Sequence, residues 1–200
     1  MSGAAGRLVI GMSGSSAPQL AVAMLEYLTS VPEVETHFVM SEGARTSLRL
    51  EAGLDPEYLC SRADVSYPPG DLGAAISSGS FRTLGMIVIP CSMRTLAAIA
   101  TGNSQDLLTR AADVTLKERR RLVLVTRESP LNLIHIRNME TVTLAGATVL
   151  PPMLAFYHRP EKISDLVDQV VGKALDQFEI EHRLYLRWNG SPPEDDTRPR

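Results

Sequence analysis

Four loops in this chain of 200 residues gather small, hydroxyl-bearing or charged side chains in patterns suited to phosphate binding and proton transfer. The first is Gly11-Met-Ser-Gly-Ser-Ser-Ala17. Small residues after a strand let backbone N–H groups approach an anion, and a following helix adds its positive end. The serine hydroxyls can donate to phosphate oxygens. A tight strand-to-helix turn without a ligand explains the same residues. The run has neither the dinucleotide fingerprint GxGxxG nor the lysine of an NTPase loop. Pro90-Cys-Ser-Met-Arg-Thr95 repeats the design, with Ser92 and Thr95 placed either to cap the next helix or to hold a ligand. Two such loops side by side favour one phosphorylated cofactor. Arg127-Glu-Ser-Pro130 puts a cation and a carboxylate together. A carboxylate in a water-poor pocket has a raised pKa and can move a proton; the alternative for Arg127 and Glu128 is a loop ion pair. The fourth loop, Phe156-Tyr-His-Arg-Pro160, mixes aromatic and cationic groups. Tyr157 is either a phosphate donor or a packed loop aromatic.

Isolated groups add less. Arg110 and Lys117 stand seven residues apart. They therefore share one helix face about two turns apart, where a cation pair either faces water or grips a phosphate. Glu51 is read first as a surface helix carboxylate and second as a proton carrier. Cys91 has no histidine near it in sequence and reads as a small buried hydrophobe. His135 and His158 match no metal-ligand spacing, so no metal is assigned.

These loops need a frame. Short apolar strands are expected at Arg7–Met12, Val34–Met40, Gly85–Pro90, Arg121–Thr126 and Ala147–Leu150. Helical patterns fall at 18–28, 42–52, 93–100, 106–119, 134–145 and 163–178, while 55–70 reads as irregular and rich in Pro and Gly. Alternation of this kind means parallel pairing with right-handed crossovers. The expected fold is a three-layer, Rossmann-like (flavodoxin-like) α/β sandwich, a parallel sheet with helices on both faces. Ligands in such sheets sit beyond the carboxyl ends of the strands.

With 44% hydrophobic residues, the length suits one domain with one sizeable core, expected over 1–188. Residues 189–200 are polar and rich in proline and read as a disordered tail. The formal net charge of −3 gives no sign of a nucleic-acid binder. The apolar run Leu8-Val9-Ile10 is too short for a signal-peptide core, and no segment is apolar enough to span a bilayer. Two cysteines, Cys60 and Cys91, make no disulfide framework, which fits the cytoplasm.

Taken in order, the motifs resemble the UbiX-type flavin prenyltransferases over Leu8 to Trp188. They are Ser13–Ser16, Gly79-Ser-Phe-Arg-Thr-Leu-Gly-Met86, Pro90–Thr95, Arg110-Ala-Ala-Asp-Val-Thr-Leu-Lys-Glu-Arg-Arg120, Arg127–Leu131, Ile134-His-Ile-Arg-Asn-Met139, Gly146-Ala147 and Pro151-Pro-Met-Leu-Ala-Phe-Tyr157. The resemblance implies FMN, bound reduced as the prenyl acceptor and held by Gly14, Ser15, Ser16, Ser41, the Ser92-Met93-Arg94-Thr95 loop and Arg127. It implies a dimethylallyl phosphate site of Lys117, Glu128, Tyr157 and Lys173, with Arg110 and Trp188 nearby and some groups lent by neighbouring subunits. Ser16, Glu51, Lys117 and Glu128 are the implied catalytic residues. The implied reaction joins a dimethylallyl group to N5 and C6 of reduced FMN. The implied assembly is a homododecamer that passes its product to a UbiD-type decarboxylase. Two departures from the family pattern stand out: Ser15 and Ala17 replace smaller counterparts, and Leu154 replaces a proline.

Three rivals remain at this stage. A flavin-dependent cysteine decarboxylase would need a histidine base in a loop after the first strands, which this sequence lacks. A non-catalytic FMN carrier for a decarboxylase would leave Lys117 and Glu128 dispensable. A direct aromatic-acid decarboxylase would release carbon dioxide without a partner.

Overall fold

The computed structural model describes residues 6–190. The first five residues and the last ten, and with them most of the expected tail, lie outside the described residues. Among the described residues six strands form one all-parallel sheet in the order β3-β2-β1-β4-β5-β6. They are β1 (Gly6–Met12), β2 (Val34–Met40), β3 (Val65–Tyr67), β4 (Gly85–Cys91), β5 (Arg121–Thr126) and β6 (Thr148–Val149). Seven α-helices surround the sheet: α1 (Gln19–Leu28), α2 (Glu42–Ser47), α3 (Pro56–Cys60), α4 (Met93–Ala100), α5 (Leu107–Lys117), α6 (Leu133–Leu144) and α7 (Ile163–Asp176).

Period-two side-chain alternation explains the layers. Leu8, Ile10, Ile87, Ile89, Val123 and Val125 point to one face and pack with α1 and α7. Their neighbours Val9, Met86, Val88, Leu122 and Leu124 point to the other face, under α4 and α5. Strands buried on both sides must be apolar throughout, which is why β4 and β5 read as continuous apolar runs. Pro90 has no N–H for the ladder, and the β4–β5 register shifts between Val88 and Cys91.

The structure corrects the irregular reading of 55–70. Asp55 accepts from the Glu57 N–H at 2.9 Å and Pro56 opens the first turn, so α3 forms despite its brevity. Val65–Tyr67 then joins the sheet edge beside His37–Val39. Asp64 fixes that register by accepting from the Thr36 N–H (2.7 Å) and hydroxyl (2.8 Å). The helix expected over 42–52 also divides, with α2 widening into a π-helical turn over Leu48–Ala52.

Candidate active site

The sheet order reverses direction between β1 and β4, and a crevice opens there because the two crossovers leave to opposite sides. Ser13 stitches the crevice floor. Its N–H and Oγ donate to the Pro90 carbonyl (both 3.1 Å), and its Oγ accepts from the Ser92 N–H at 2.8 Å. On the other side the Ser41 N–H donates to the Met12 carbonyl at 3.0 Å.

Above this floor lies a cleft of about 540 Å³, lined by Gly14, Ser41, Gly43, Ser92–Thr95, Asp106 and Glu128, with Pro69 and Gly70 closing one side. Its walls come from the loops after β1, β2, β3, β4 and β5. Gly14 and Gly43 touch backbone to backbone: a Cβ on Gly14 would stand 2.8 Å from the Gly43 carbonyl carbon. The result is a patch of bare main chain on which a flat or anionic ligand can rest. Ser41 and Ser92 cap α2 and α4, each accepting from the backbone N–H three residues on (Ala44 and Thr95) at 3.2 Å. The capping reading of Ser92 is therefore correct for the chain alone. A hydroxyl that accepts at a cap still owns an O–H to donate, so Ser41 can serve a ligand without uncapping its helix. The N-terminus of α4 also opens at this cleft through Met93, Arg94 and Thr95, with Arg94 exposed. This donor set, with its cradle of bare backbone, fits a flavin phosphate.

Beside the cleft, the β1 loop meets two other elements. The Ser15 hydroxyl donates to the Arg127 carbonyl at 2.9 Å, tying the β1 loop to the β5 loop that carries Glu128. Ser16 Oγ donates to Glu51 Oε2 at 2.7 Å, and the same oxygen accepts from the Ala17 N–H at 3.1 Å. Ala17 has a φ of +71°, a region that favours glycine. The π-helical turn presents Glu51 to this bent backbone. Glu51 is exposed, as its surface-carboxylate reading expects, and on that surface it forms a serine–carboxylate pair with Ser16. Glu128 is exposed, and its carboxylate accepts from the Ser129 N–H at 3.0 Å. The water-poor surroundings expected for it are not supplied by this chain alone.

The other candidates stand elsewhere. The cap of α5, Asp106, lines the cleft. Lys117 ends the same helix about 16 Å further on, at the amino edge of the sheet. It pairs there with Glu118, whose carboxyl it holds below the usual range. Arg110 bonds Asp113 at 2.7 Å and the Ser77 carbonyl at 3.2 Å. Lys173 lies near the end of α7, its Nζ 3.8 Å from Asp176. That end also faces the amino edge, since Arg121, the first residue of β5, bonds Gln177 and Glu179. Tyr157 meets Trp188 edge to face, with ring centroids 6.4 Å apart. One chain therefore assembles Gly14, Ser15, Ser16, Ser41, Glu51, Ser92–Thr95, Arg127 and Glu128. It leaves Lys117 and the group of Tyr157, Lys173 and Trp188 in two other places.

Sequence reasoning missed Ser13, Gly43 and Asp176. Ser13 sat inside a recognised motif, but its bond to Pro90 spans 77 positions. Asp176 accepts from Arg187 (2.5 Å), Tyr185 (2.6 Å) and His182 (3.1 Å). Burial alone would raise its pKa, and the three hydrogen bonds outweigh that, holding it at about 2. Cys91 is fully buried and desolvation pushes its thiol up to about 12, so it is a packing group. His135 closes a capping box with Asn132, and His158 is buried in the loop before α7. Among the described residues no group of three or more His, Cys, Asp or Glu is placed to hold a metal, and no helix is long and apolar enough to cross a membrane.

The Flavoprotein family model matches residues 3–175. A probable UbiX-like flavin prenyltransferase of Streptomyces sp. (strain D7) is 51% identical over 184 residues, covering 92% of each chain. The crystal structure of AnUbiX (PadA1) in complex with FMN and dimethylallyl pyrophosphate superposes with a TM-score of 0.91 at 48% identity, over 93% of this chain and 98% of that one. That of a dodecameric FMN-dependent UbiX-like decarboxylase from Escherichia coli O157:H7 gives 0.90 at 50% identity, over 92% and 100%.

Proposed function

This chain belongs to the UbiX-type flavin prenyltransferase family, and we propose that it transfers a dimethylallyl group from dimethylallyl phosphate to N5 and C6 of reduced FMN. The observation that carries this reading is the switch-point cleft, where Gly14 and Gly43 meet without side chains and serine hydroxyls ring the gap. Bound there, reduced FMN supplies an electron-rich ring to receive the prenyl carbon. The protein's own work is to grip phosphate, place donors at the leaving oxygen and exclude water.

Gly14, Ser15, Ser41, the Ser92–Thr95 turn and Arg127 hold the flavin and its phosphate. The Ser16–Glu51 hydrogen bond supplies a path for a proton to the departing phosphate: when Glu51 carries a proton, Ser16 gives its own outward and takes that of Glu51, which is left as the carboxylate. Glu128 lines the flavin cleft and is placed to take up a proton displaced from the reduced ring as the new bonds to N5 and C6 form. A departing phosphate also needs cations. Lys117, with Arg110 nearby, and Lys173 fill that role, with Tyr157 and Trp188 beside Lys173, only when a neighbouring subunit brings them to the cleft. An exposed apolar face supports such contact: Leu133, Ile134 and Ile136 of α6 are each more than half exposed, as are Met153, Leu154 and Phe156. Large apolar side chains left exposed together mark interaction sites. The assembly is read as a homododecamer with one folded domain per chain over 1–188, working in the cytoplasm and supplying a UbiD-type decarboxylase.

The test is a mass measurement. Anaerobic incubation with reduced FMN and dimethylallyl phosphate should give a flavin heavier by one C5H8 unit. No change in flavin mass with either the mono- or the diphosphate donor would end this reading.

A further inference from the structure

We propose that Asp176 is a positioning residue, the anchor that straps the C-terminal segment across α7 and so sets Trp188, Tyr157 and Lys173 at the prenyl-donor end of the site. The role of those three residues rests on the function proposed above; the anchoring itself rests on geometry alone.

One carboxylate gathers four groups. Tyr185 Oη donates to Oδ2 at 2.6 Å, while Arg187 Nη2 (2.5 Å) and His182 Nε2 (3.1 Å) meet Oδ1. Lys173 Nζ stands 3.8 Å from Oδ2, one helical turn earlier. Asp176 is only 16% exposed, and the His182 side chain is fully covered. The chain beneath is shaped for this contact. A Cβ on Gly172 would lie 2.6 Å from both the His182 and the Tyr185 rings, so glycine lets the segment lie directly on the helix.

Consequences follow along the chain. Arg187 is held by Asp176, and its covalent neighbour Trp188 is thereby delivered edge-on to Tyr157. From the other side, His158 is buried between the two tyrosines, 5.5 Å from Tyr157 and 6.4 Å from Tyr185 by ring centroids. Its two ring nitrogens are buried without hydrogen-bond partners, so packing alone ties it to these rings. Tyr157 is thus clamped between a ring fixed by Tyr185 and a ring fixed by Arg187, both of which end on Asp176. The carboxylate touches no reacting atom; it acts by setting the direction of the groups that do.

Trp188 is the single tryptophan of the chain, so its emission reads the strap directly. In the flavin-loaded protein, Asp176→Asn removes the charge and keeps the shape. Trp188 emission should shift to the red and become more open to acrylamide. KM for dimethylallyl phosphate should rise roughly 10- to 100-fold, the scale of lost charge-assisted hydrogen bonds, while the FMN Kd stays within about twofold. Tyr185→Phe, which deletes one donor and no charge, should move both readouts the same way by less, and Asp176→Glu should recover part of the loss. Unchanged Trp188 emission in both Asp176→Asn and Tyr185→Phe overturns the anchor. So does a parallel rise in donor KM and FMN Kd, which is the mark of general loosening. If the wild type makes no heavier flavin, the proposed reaction fails, yet Trp188 emission still decides whether Asp176 holds the strap.

Discussion

Replacing Gly14 by alanine tests whether the bare backbone contact at the switch point is what shapes the cleft. The added Cβ would stand 2.8 Å from the Gly43 carbonyl carbon, 2.9 Å from its Cα and 3.1 Å from its oxygen. Ordinary carbon contacts lie near about 3.5–4.0 Å, so the two main chains must separate by roughly 0.5–1 Å. Neither strand end yields readily. The β1 end is fastened by Ser13 to Pro90, and the β2 end by the Ser41 N–H to Met12. Forced overpacking of this kind costs about 1–3 kcal/mol. In a chain of this size that lowers Tm by about 2–12 °C. The displaced atoms line the cleft, so FMN affinity should fall about tenfold or more, a change of roughly 1.4 kcal/mol. Gly70 supplies the control: it lines the same cleft, and a Cβ there meets nothing within 4 Å. Gly70→Ala should leave Tm within about 2 °C, as a substitution free of strain does. Thermal scans of both variants and FMN titration of Gly14→Ala decide the matter. A Gly14→Ala protein that melts and binds FMN like the wild type would show that the contact does not shape the site.

Three further outcomes are expected. Glu51→Ala removes the acceptor shared by Ser16 and Ala17, so single-turnover flavin prenylation should slow by about 100-fold or more, the scale of general acid–base catalysis, with FMN still bound; an undiminished rate would place proton transfer elsewhere. A thiol reagent at pH 8 should label half-buried Cys60 in the native protein and spare Cys91, whose thiol is pushed up to about 12; two fast-reacting thiols would contradict that burial. The Asp176 strap should hold from neutral pH down to about pH 4. The folded carboxylate titrates at about 2 and the free one at 3.8, so its stabilisation is complete above the higher value and is lost as pH falls through the lower. Trp188 emission followed from pH 6 to pH 2 checks this, and a transition centred above pH 5 would refute it.

Much of this protein was legible as sequence because local patterns carried it. The continuous apolar runs at 85–90 and 121–126 announced buried parallel strands, and the five strands expected from the sequence form with small shifts at their ends. The stretch 55–70 did not announce β3, because a three-residue edge strand has too few positions to show a period and is held by the long-range bond between Asp64 and Thr36. Among site residues, Ser92 and Thr95 signalled themselves as a helix cap. Glu51 could not, since a carboxylate on a helical pattern is ordinary until a π-helical turn aims it at Ser16.

By itself, then, the sequence determined the layer architecture, the loops that bear chemistry and the family, since these follow from residue type and spacing close along the chain. Tertiary structure alone decided which of those residues meet. It paired Ser16 with Glu51 across 35 positions and pressed Gly14 against Gly43. It also set Lys117 at the far end of α5 and gathered the C-terminal segment on Asp176. These contacts depend on how strands register and how helices cross, and both arise from packing between elements distant in sequence.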